Sequence, residues 1–515
     1  MTFSTKPINS LDYILAIDQG TTSSRAILFD RDGSVVSSAQ LEFKQYYPHT
    51  GEVEHDPEEI WQSVLTVIEK VCQQSQINKK QIAGIGITNQ RETTVVWHKE
   101  TGKPIYNAIV WQDRRTSDRI QELKAQGLQA QIKQKTGLFL DAYFSASKIE
   151  WILNNVVGAK QLAQEGKLAF GTIDSWLIWK LTGGKSHITD VSNACRTLLL
   201  DINTVEWDSS LLEIFNVPES ILPEICDSSG VVARTDENVF GAQTPISGIA
   251  GDQQAATFGH TGFHAGIAKN TYGTGCFLVS PTGSEIVHSP RSLLSCIGWR
   301  LNGETTYILE GSIFASGSAI NWLRDGLGII SSPEEVTQLA SSVDDSDDVY
   351  FVPALAGLGS PHWDQYARGT IVGISRATTK AHIARATLEG IAFQVYDVVS
   401  SLNKESGQSL ELLKVDGGAT RSDLLMQLQA NILQIPVERP AEIELTARGV
   451  AYLAGLGVGF WSSISQIKEI ETQSTIFTPQ ISASQAQSLC DRWHEALTRS
   501  YGWTQQETGR TGEGK

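Results

Sequence analysis

The sequence predicts an α/β protein made of two duplicated halves that flank a deep cleft, and three observations carry this. Short apolar runs alternate with long amphipathic stretches at helical spacing. A strand–turn–strand opening at residues 13–29, bent at Gly20, returns at residues 267–279 with Gly273 and Gly275 in its bend. The 515 residues are also too many for one hydrophobic core, so two large domains are expected.

In chain order, Tyr-Ile-Leu-Ala-Ile at 13–17 reads as a buried strand. Asp-Gln-Gly-Thr-Thr-Ser-Ser at 18–24 is a turn, Arg-Ala-Ile-Leu-Phe at 25–29 is a returning strand, and Val35 and Val36 start a third. Asp56, Pro57 and Glu59 supply a helix cap, a first-turn proline and an acid three residues after the cap. Ile60, Trp61, Val64, Leu65, Ile68, Val71 and Cys72 then recur at helical spacing. Ile-Ala-Gly-Ile-Gly-Ile at 82–87 is another buried strand. In the second half, 267–271 and 276–279 form the matching hairpin, 411–415 is a strand, and a helix runs from near Ser422 through Ile432. The boundary falls near 252–262, giving domains at 1–256 and 257–503. The polar stretch at 504–515 is expected to be a disordered tail.

Composition narrows the function. A formal net charge of -16 opposes nucleic-acid binding, so any triphosphate site must build its own local positive potential. Six cysteines without a Cys-x-x-Cys pair suggest neither zinc nor redox chemistry, and suit a reducing cytoplasm. No apolar run approaches a membrane span, and residues 1–12 lack a signal core, so no membrane insertion is expected. The acidic run at Asp344, Asp345, Asp347 and Asp348 reads as a solvated loop. Gly184, Lys185 and Ser186 resemble the end of a phosphate loop, but Trp179 stands where its first glycine is needed.

Several turns carry candidate chemistry. Gly20 lets the first hairpin bend tightly, so that the following hydroxyls and amides line a concave anion site, with Arg25 in reach of a phosphate. Asp18, closing a buried strand, would hold a magnesium ion through water. Alone this is an ordinary polar turn; the matching turn at Gly273, Thr274 and Gly275 makes a pair able to clasp a triphosphate. Asp-Gly-Gly-Ala at 416–419 permits close approach of an adenosine. Arg91 and Glu92, directly after the strand at 82–87, form a donor–acceptor pair suited to vicinal hydroxyls, or else a surface ion pair. Asp252, in Gly-Asp-Gln-Gln at the domain boundary, can take a proton from an attacking hydroxyl, or else cap a helix.

With these segments assembled, the sequence resembles the FGGY family of carbohydrate kinases along nearly its whole length. Two long stretches carry the likeness, 143–155 beginning Tyr-Phe-Ser-Ala-Ser-Lys, and 369–389 from Gly-Thr-Ile-Val-Gly to Ala-Thr-Leu-Glu. Segments 18–25, 87–94, 106–112, 248–256 and 269–275 are those of the members that phosphorylate glycerol. The resemblance implies two ribonuclease-H-like domains of the actin-like ATPase type. It also implies ATP and glycerol as substrates, Mg2+ held by Asp18 and Asp252, and a homo-oligomer, dimer or tetramer. By the same resemblance Arg91, Glu92, Tyr143, Asp252 and Gln253 bind glycerol, with Trp111 and Phe277 against its carbons and Asp252 as catalytic base. Thr21, Thr22, Ser23, Arg25 and Thr274 would contact phosphates, and Gly317, Asn321, Gly418 and Ser422 the nucleoside. Asn321 and Ser422 depart from the family's usual Gln and Asn, and Asp113 beside Trp111 is atypical with no evident role. Members inhibited by fructose 1,6-bisphosphate carry Gly-Gly-x-Arg before Pro-Ile-Ser-Gly; here Phe240 and Gln243 replace the first glycine and the arginine. No histidine lies between Asp227 and Thr244 to serve the family's phosphohistidine control, so insensitivity to both is expected. Rival readings are a pentose or other polyol kinase, an actin- or chaperone-like ATPase without a small acceptor, and a non-enzymatic sensor.

Overall fold

In the first half, β1 (Tyr13–Gln19) and β2 (Ser23–Phe29) are buried apolar strands joined by a tight bend, in which Gly20 N–H donates to the Ser23 carbonyl at 2.9 Å. The strand β3 (Val35–Glu42) is half exposed and forms an edge of the sheet. The following helix, α1 (Pro57–Ser75), starts as the sequence predicts, with the Asp56 carboxylate accepting from Glu58 N–H and proline in the first turn. It lays Ile60, Val64, Val67, Ile68 and Val71 on one face of that sheet. Next come β4 (Ile82–Asn89), the helix α2 (Ser145–Asn155), β5 (Ser229–Arg234), β6 (Pro245–Gly251) and α3 (Asp252–Gly259). The computed structural model describes residues 11–290, 292–441, 444–470 and 473–504, so the tail expected at 504–515 lies, but for Thr504, outside the described residues.

The second half repeats the plan with β7 (Ile267–Tyr272), β8 (Cys276–Gly283), β9 (Leu294–Leu301), β10 (Glu304–Ile313), α4 (Gly317–Asp325) and α5 (Lys380–Ser406). It ends with β11 (Leu412–Asp416), α6 (Asp423–Leu433), β12 (Val437–Pro440), α7 (Leu445–Gly457) and β13 (Ser474–Phe477). The sheet order is β13-β12-β11-β7-β8-β10-β9-β5-β6-β4-β1-β2-β3. In each half an antiparallel hairpin, β1–β2 or β7–β8, pairs in parallel with a later strand, β4 or β11, and then with a second, β6 or β12. This is the ribonuclease-H-like order of the actin-like ATPases, present twice.

The halves touch at several places, among them the centre of the sheet and the layer behind it. At the centre of the sheet β5 pairs in parallel with β9 at Ser229 and Leu301. Behind it, α7 crosses from the second half to cover β1, β4 and β6 of the first, and packs against α3. That crossing is close because glycine stands at the contact: a Cβ on Gly449 would lie 1.8 Å from the Ala255 carbonyl oxygen, and one on Gly259 2.0 Å from that of Leu445. The functional consequence is placement. The helix α3, whose first residue is Asp252, is held at the junction, where the C-terminal ends of β1, β4 and β6 open into the cleft.

Candidate active site

The chain after β4 makes a strained bend. Arg91 and Glu92 both have positive φ, 53° and 44°, a conformation that costs non-glycine residues about 1–3 kcal/mol each and persists only where the surroundings impose it. Here the Glu92 carbonyl accepts from Ser145 Oγ at 2.8 Å and Thr94 Oγ1 at 3.0 Å. The bend turns both side chains inward, where Arg91 is 2% exposed and Glu92 fully buried. The guanidinium of Arg91 spans the junction, its Nε 3.0 Å from Asp252 Oδ1 and its Nη1 2.7 Å from Glu310 Oε2 on β10. Gly251 makes room, since a Cβ there would sit 2.6 Å from Arg91 Cδ. Glu92 Oε1 accepts from Arg196 Nε at 2.6 Å, and Arg196 Nη2 lies 3.3 Å from Glu310 Oε1. The structure thus joins Arg91, Glu92 and Asp252 through two residues that the sequence reading missed, Arg196 and Glu310.

The electrostatics of this group are uneven. Burial works to raise the Glu310 carboxyl, but the guanidiniums of Arg196 and Arg91 outweigh it and hold the group down at about 2. Glu310 is therefore a fixed anion. Glu92 is different: burial raises it despite Arg196 and Arg91, and its second oxygen, Oε2, is buried with no hydrogen-bond partner among the described residues. A buried carboxylate oxygen left unpaired is costly, and a hydroxyl donor would satisfy it.

An aromatic wall stands beside the Arg196 guanidinium that holds Glu92. The Arg196 guanidinium lies 5.4 Å from the Tyr143 ring centre, and Trp111 meets Tyr143 edge to face at 5.5 Å. Lys148, on α2, donates to the Ala142, Tyr143 and Phe144 carbonyls and so fixes the loop that carries Tyr143. The Trp111 indole N–H donates to Thr21 Oγ1 at 3.0 Å, tying this wall to the first hairpin. Asp113, without a role in the sequence reading, supports the loop that carries Trp111. It is 1% exposed, accepts from Val53 N–H at 2.7 Å and pairs with Arg115 at 2.8 Å. Removing Asp113 leaves Arg115 paired with Glu54 at 2.8 Å but orphans the Val53 N–H, so Asp113→Ala should cost about 1–3 kcal/mol of unfolding free energy. Urea denaturation measures it, and a change within about 0.5 kcal/mol, as at ordinary surface sites, would contradict the assignment.

The other predicted residues are spread around the cleft. Thr21 and Ser23 are half-buried on the first hairpin and Thr22 is exposed at its tip. Arg25, expected at a phosphate, is ion-paired with Glu444 and donates to Gln40 Oε1 at 2.9 Å. Thr274 is exposed on the second hairpin, and its carbonyl accepts from Ser316 and Ser318 N–H at the start of α4, both at 3.0 Å. Gly317 lies close against the same hairpin, its N–H donating to the Gly273 carbonyl at 2.9 Å, and Asn321 is exposed one turn further along α4. Phe277, on β8, is half-buried and paired with Thr271 and Ser312. Gln253 accepts through Oε1 from the buried Lys269 Nζ at 2.5 Å. Gly418 is exposed after β11, with nothing within 4 Å of the place a Cβ would take, so its backbone faces open space. Ser422 caps α6, accepting from Leu425 N–H and from Thr337 Oγ1 at 2.8 Å.

Two oxygen donors of the kind a hard divalent cation takes face the junction, Asp18 at the end of β1 and Asp252 after β6. Burial pushes the Asp18 carboxyl up to about 7, Arg25 lowers it only in part, and the charges of Asp252 and Glu444 add to the rise. Among the described residues Asp18 makes no side-chain hydrogen bond. Carboxylates that repel one another with nothing between them fit a cation, and Mg2+ suits this donor set.

Facing glycine hairpins on two ribonuclease-H-like domains, with a buried polar pocket on the strand ends of one, define a small-molecule kinase of the actin-like ATPase class. The chain belongs to the FGGY family of carbohydrate kinases. That family's N-terminal domain model matches residues 13–259 and its C-terminal domain model residues 268–458. A glycerol kinase of Petrotoga mobilis is 54% identical over 96% of this chain and 99% of its own length. One from Carboxydothermus hydrogenoformans is 55% identical over the same shares. Among solved structures, Plasmodium falciparum glycerol kinase with ADP is similar at a TM-score of 0.91 and 37% identity, covering 95% of this chain and 98% of that one. A gluconate kinase from Lactobacillus acidophilus follows at 0.85 and 27%, covering 95% and 99%.

Proposed function

We propose that this protein transfers the γ-phosphoryl group of ATP to glycerol, giving ADP and sn-glycerol 3-phosphate. The observation that carries the reading is the unpartnered Glu92 Oε2, buried on the carboxylate that Arg196 holds beside the Tyr143 and Trp111 wall, with its neighbour Arg91 paired to Asp252. Glu92 accepts one hydroxyl and Arg91 donates to a second. Trp111, Tyr143 and Phe277 limit the pocket to a short carbon chain, and Gln253 lines it. Asp252 takes the proton of the third hydroxyl as it attacks in line. Thr21, Thr22, Ser23, Arg25 and Thr274 hold the phosphates, and Gly317, Asn321, Gly418 and Ser422 the nucleoside. Engagement of Arg25 by phosphate requires it to leave Glu444. Asp18 and Asp252 would hold Mg2+, which would supply charge neutralisation to the transferring phosphoryl group. The relatives named glycerol kinase support the acceptor assignment. A coupled ADP-release assay over glycerol, other polyols, pentoses and gluconate tests it: turnover is expected with glycerol, and preferential turnover with a sugar would overturn it.

The same reading places the domain boundary at 256/257, the enzyme in the cytoplasm, and the chain in a homo-oligomer, dimer or tetramer. Among the described residues no helix is long and apolar enough to cross a membrane. Insensitivity to fructose 1,6-bisphosphate also belongs to it. Phe240, where inhibited members have glycine, is a core residue under the Lys79 ammonium, 5.1 Å from its ring centre. Gln243 is exposed and uncharged, and the arginine that reaches the loop, Arg234, only contacts the Gln243 carbonyl at 3.5 Å. An activity titration with the effector at low salt, where anion binding is strongest, should be flat; saturable inhibition below millimolar effector would contradict this.

A further inference from the structure

Glu310, in the apolar strand Tyr-Ile-Leu-Glu-Gly at 307–311, pairs with Val279 on β8 and is fully buried. It belongs to the second domain, yet the two guanidiniums ion-paired with its carboxylate lie in the first. One carboxylate oxygen takes Arg91 Nη1 at 2.7 Å, and the other is 3.3 Å from both Arg91 Nη2 and Arg196 Nη2. Arg91 in turn contacts Asp252 and Gln254 Oε1, the latter at 3.2 Å, while Arg196 holds Glu92 Oε1 and reaches Cys296 Sγ at 3.2 Å. Two arginines 105 positions apart (91 and 196) are thus oriented by one carboxylate. Without it, the two guanidiniums would repel each other in a buried space, and nothing else among these contacts fixes both at once.

We infer that Glu310 is a positioning residue for the acceptor site: reaching from the second domain, it sets the guanidiniums of Arg91 and Arg196 and thereby leaves Glu92 Oε2 open to the substrate. This rests on the reading that Arg91 and Glu92 bind the acceptor hydroxyls. Acceptor affinity then depends on the apposition of the two domains at β10, whereas among the described residues the Glu310 carboxylate makes no ion pair with the bends of the phosphate hairpins or with the adenosine side of the cleft. Its permanent negative charge fits the role, because the group remains ionised across the working pH range.

The test is steady-state kinetics of full-length Glu310→Gln and Glu310→Asp, with each substrate varied in turn and thermal unfolding run alongside. Glu310→Gln keeps the shape but not the charge, and should raise the acceptor KM on the order of 10- to 100-fold, the scale of a misplaced positioning group. The KM for ATP should change by less than about twofold, since the group does not bear on ATP binding. Glu310→Asp retains the charge one methylene short, so its acceptor KM should fall between wild type and Glu310→Gln. It keeps the question answerable if the glutamine variant does not fold. A merely structural role predicts a lowered unfolding temperature with equal changes in both KM values. That result, or an unchanged acceptor KM in the folded variants, would overturn the inference. Wild-type protein run over the acceptor panel separates the two claims: if it used another acceptor in place of glycerol, the acceptor reading would fall and the Glu310 comparison would still be read on that acceptor.

Discussion

Asp252→Asn lowers kcat by on the order of 10²-fold or more, the scale of a lost general base, with near wild-type affinity for ATP and acceptor. Asparagine keeps an oxygen able to accept from Arg91 Nε, now 3.0 Å from Asp252 Oδ1, and leaves the start of α3 unchanged in shape. What it removes is the ability to take a proton and the charge Asp252 would offer Mg2+, with Asp18 left as the other carboxylate. The Asp252 side chain is 32% exposed, in contrast to the buried Glu92 and Glu310, so it is the carboxylate of the three most open to the cleft. Because the transition state for phosphoryl transfer is loose, positioning and the remaining charge stabilisation survive the substitution and set the residual rate. Single-turnover kinetics with saturating substrates is the readout. A variant with near wild-type kcat would remove Asp252 from the base role and leave it as a helix-start residue.

Arg91→Ala should act more broadly. On sequence grounds Arg91 is a hydroxyl donor, whose loss raises the acceptor KM far more than that of ATP. The structure adds a second consequence, since the residue is also the partner of Glu310 in a buried, two-pronged ion pair. Its removal leaves that carboxylate with Arg196 alone, and breaking a buried pair costs about 3–5 kcal/mol of stability. The strained bend at 91 and 92 also loses an anchor, and with it the orientation of Glu92. Arg91→Lys keeps a charge but not the fork that meets both Glu310 oxygens, so it should recover stability in part and acceptor affinity poorly. Equal changes in KM for both substrates would show that Arg91 serves structure alone.

Much of the frame was legible before any coordinates. Strands β1, β2 and β4 are short apolar runs bounded by glycine and polar turns, and α1 announces itself through Asp56, Pro57 and Glu59. These signals are local, so the chain states them within a few residues. The identities of the ligand-binding residues were less so. Arg91, Glu92, Asp252 and the adenosine turn at Gly418 had a chemical rationale of their own, but Tyr143, Trp111, Phe277, Gln253, Gly317, Asn321 and Ser422 rested on family resemblance. Arg196 and Glu310 were missed because their partners lie 104 and 219 positions away. A signal existed all the same: Glu310 interrupts Tyr-Ile-Leu-Glu-Gly, and Arg196 precedes Thr-Leu-Leu-Leu. A charge inside an apolar run must find a buried counter-ion or leave the core, so each implied an unseen partner. The same holds for Asp113, whose partners Arg115 and Val53 explain it once the loop is folded. The union of both halves into one sheet through a single β5–β9 contact had no sequence signal, since register across domains is a tertiary outcome.

The central claim, that the pocket around Glu92 presents glycerol to Asp252 and the γ-phosphorus of ATP, is tested most directly by following the transferred group. ATP labelled at the γ-phosphate is turned over by wild-type protein with glycerol, and the product is identified by phosphorus NMR and by an enzyme specific for the sn-3 isomer. The account predicts that the label appears on one terminal hydroxyl as sn-glycerol 3-phosphate, with one ADP formed per product. Label released as inorganic phosphate at the same rate with or without glycerol would contradict it, and would mark the protein as an ATPase that has no small-molecule acceptor.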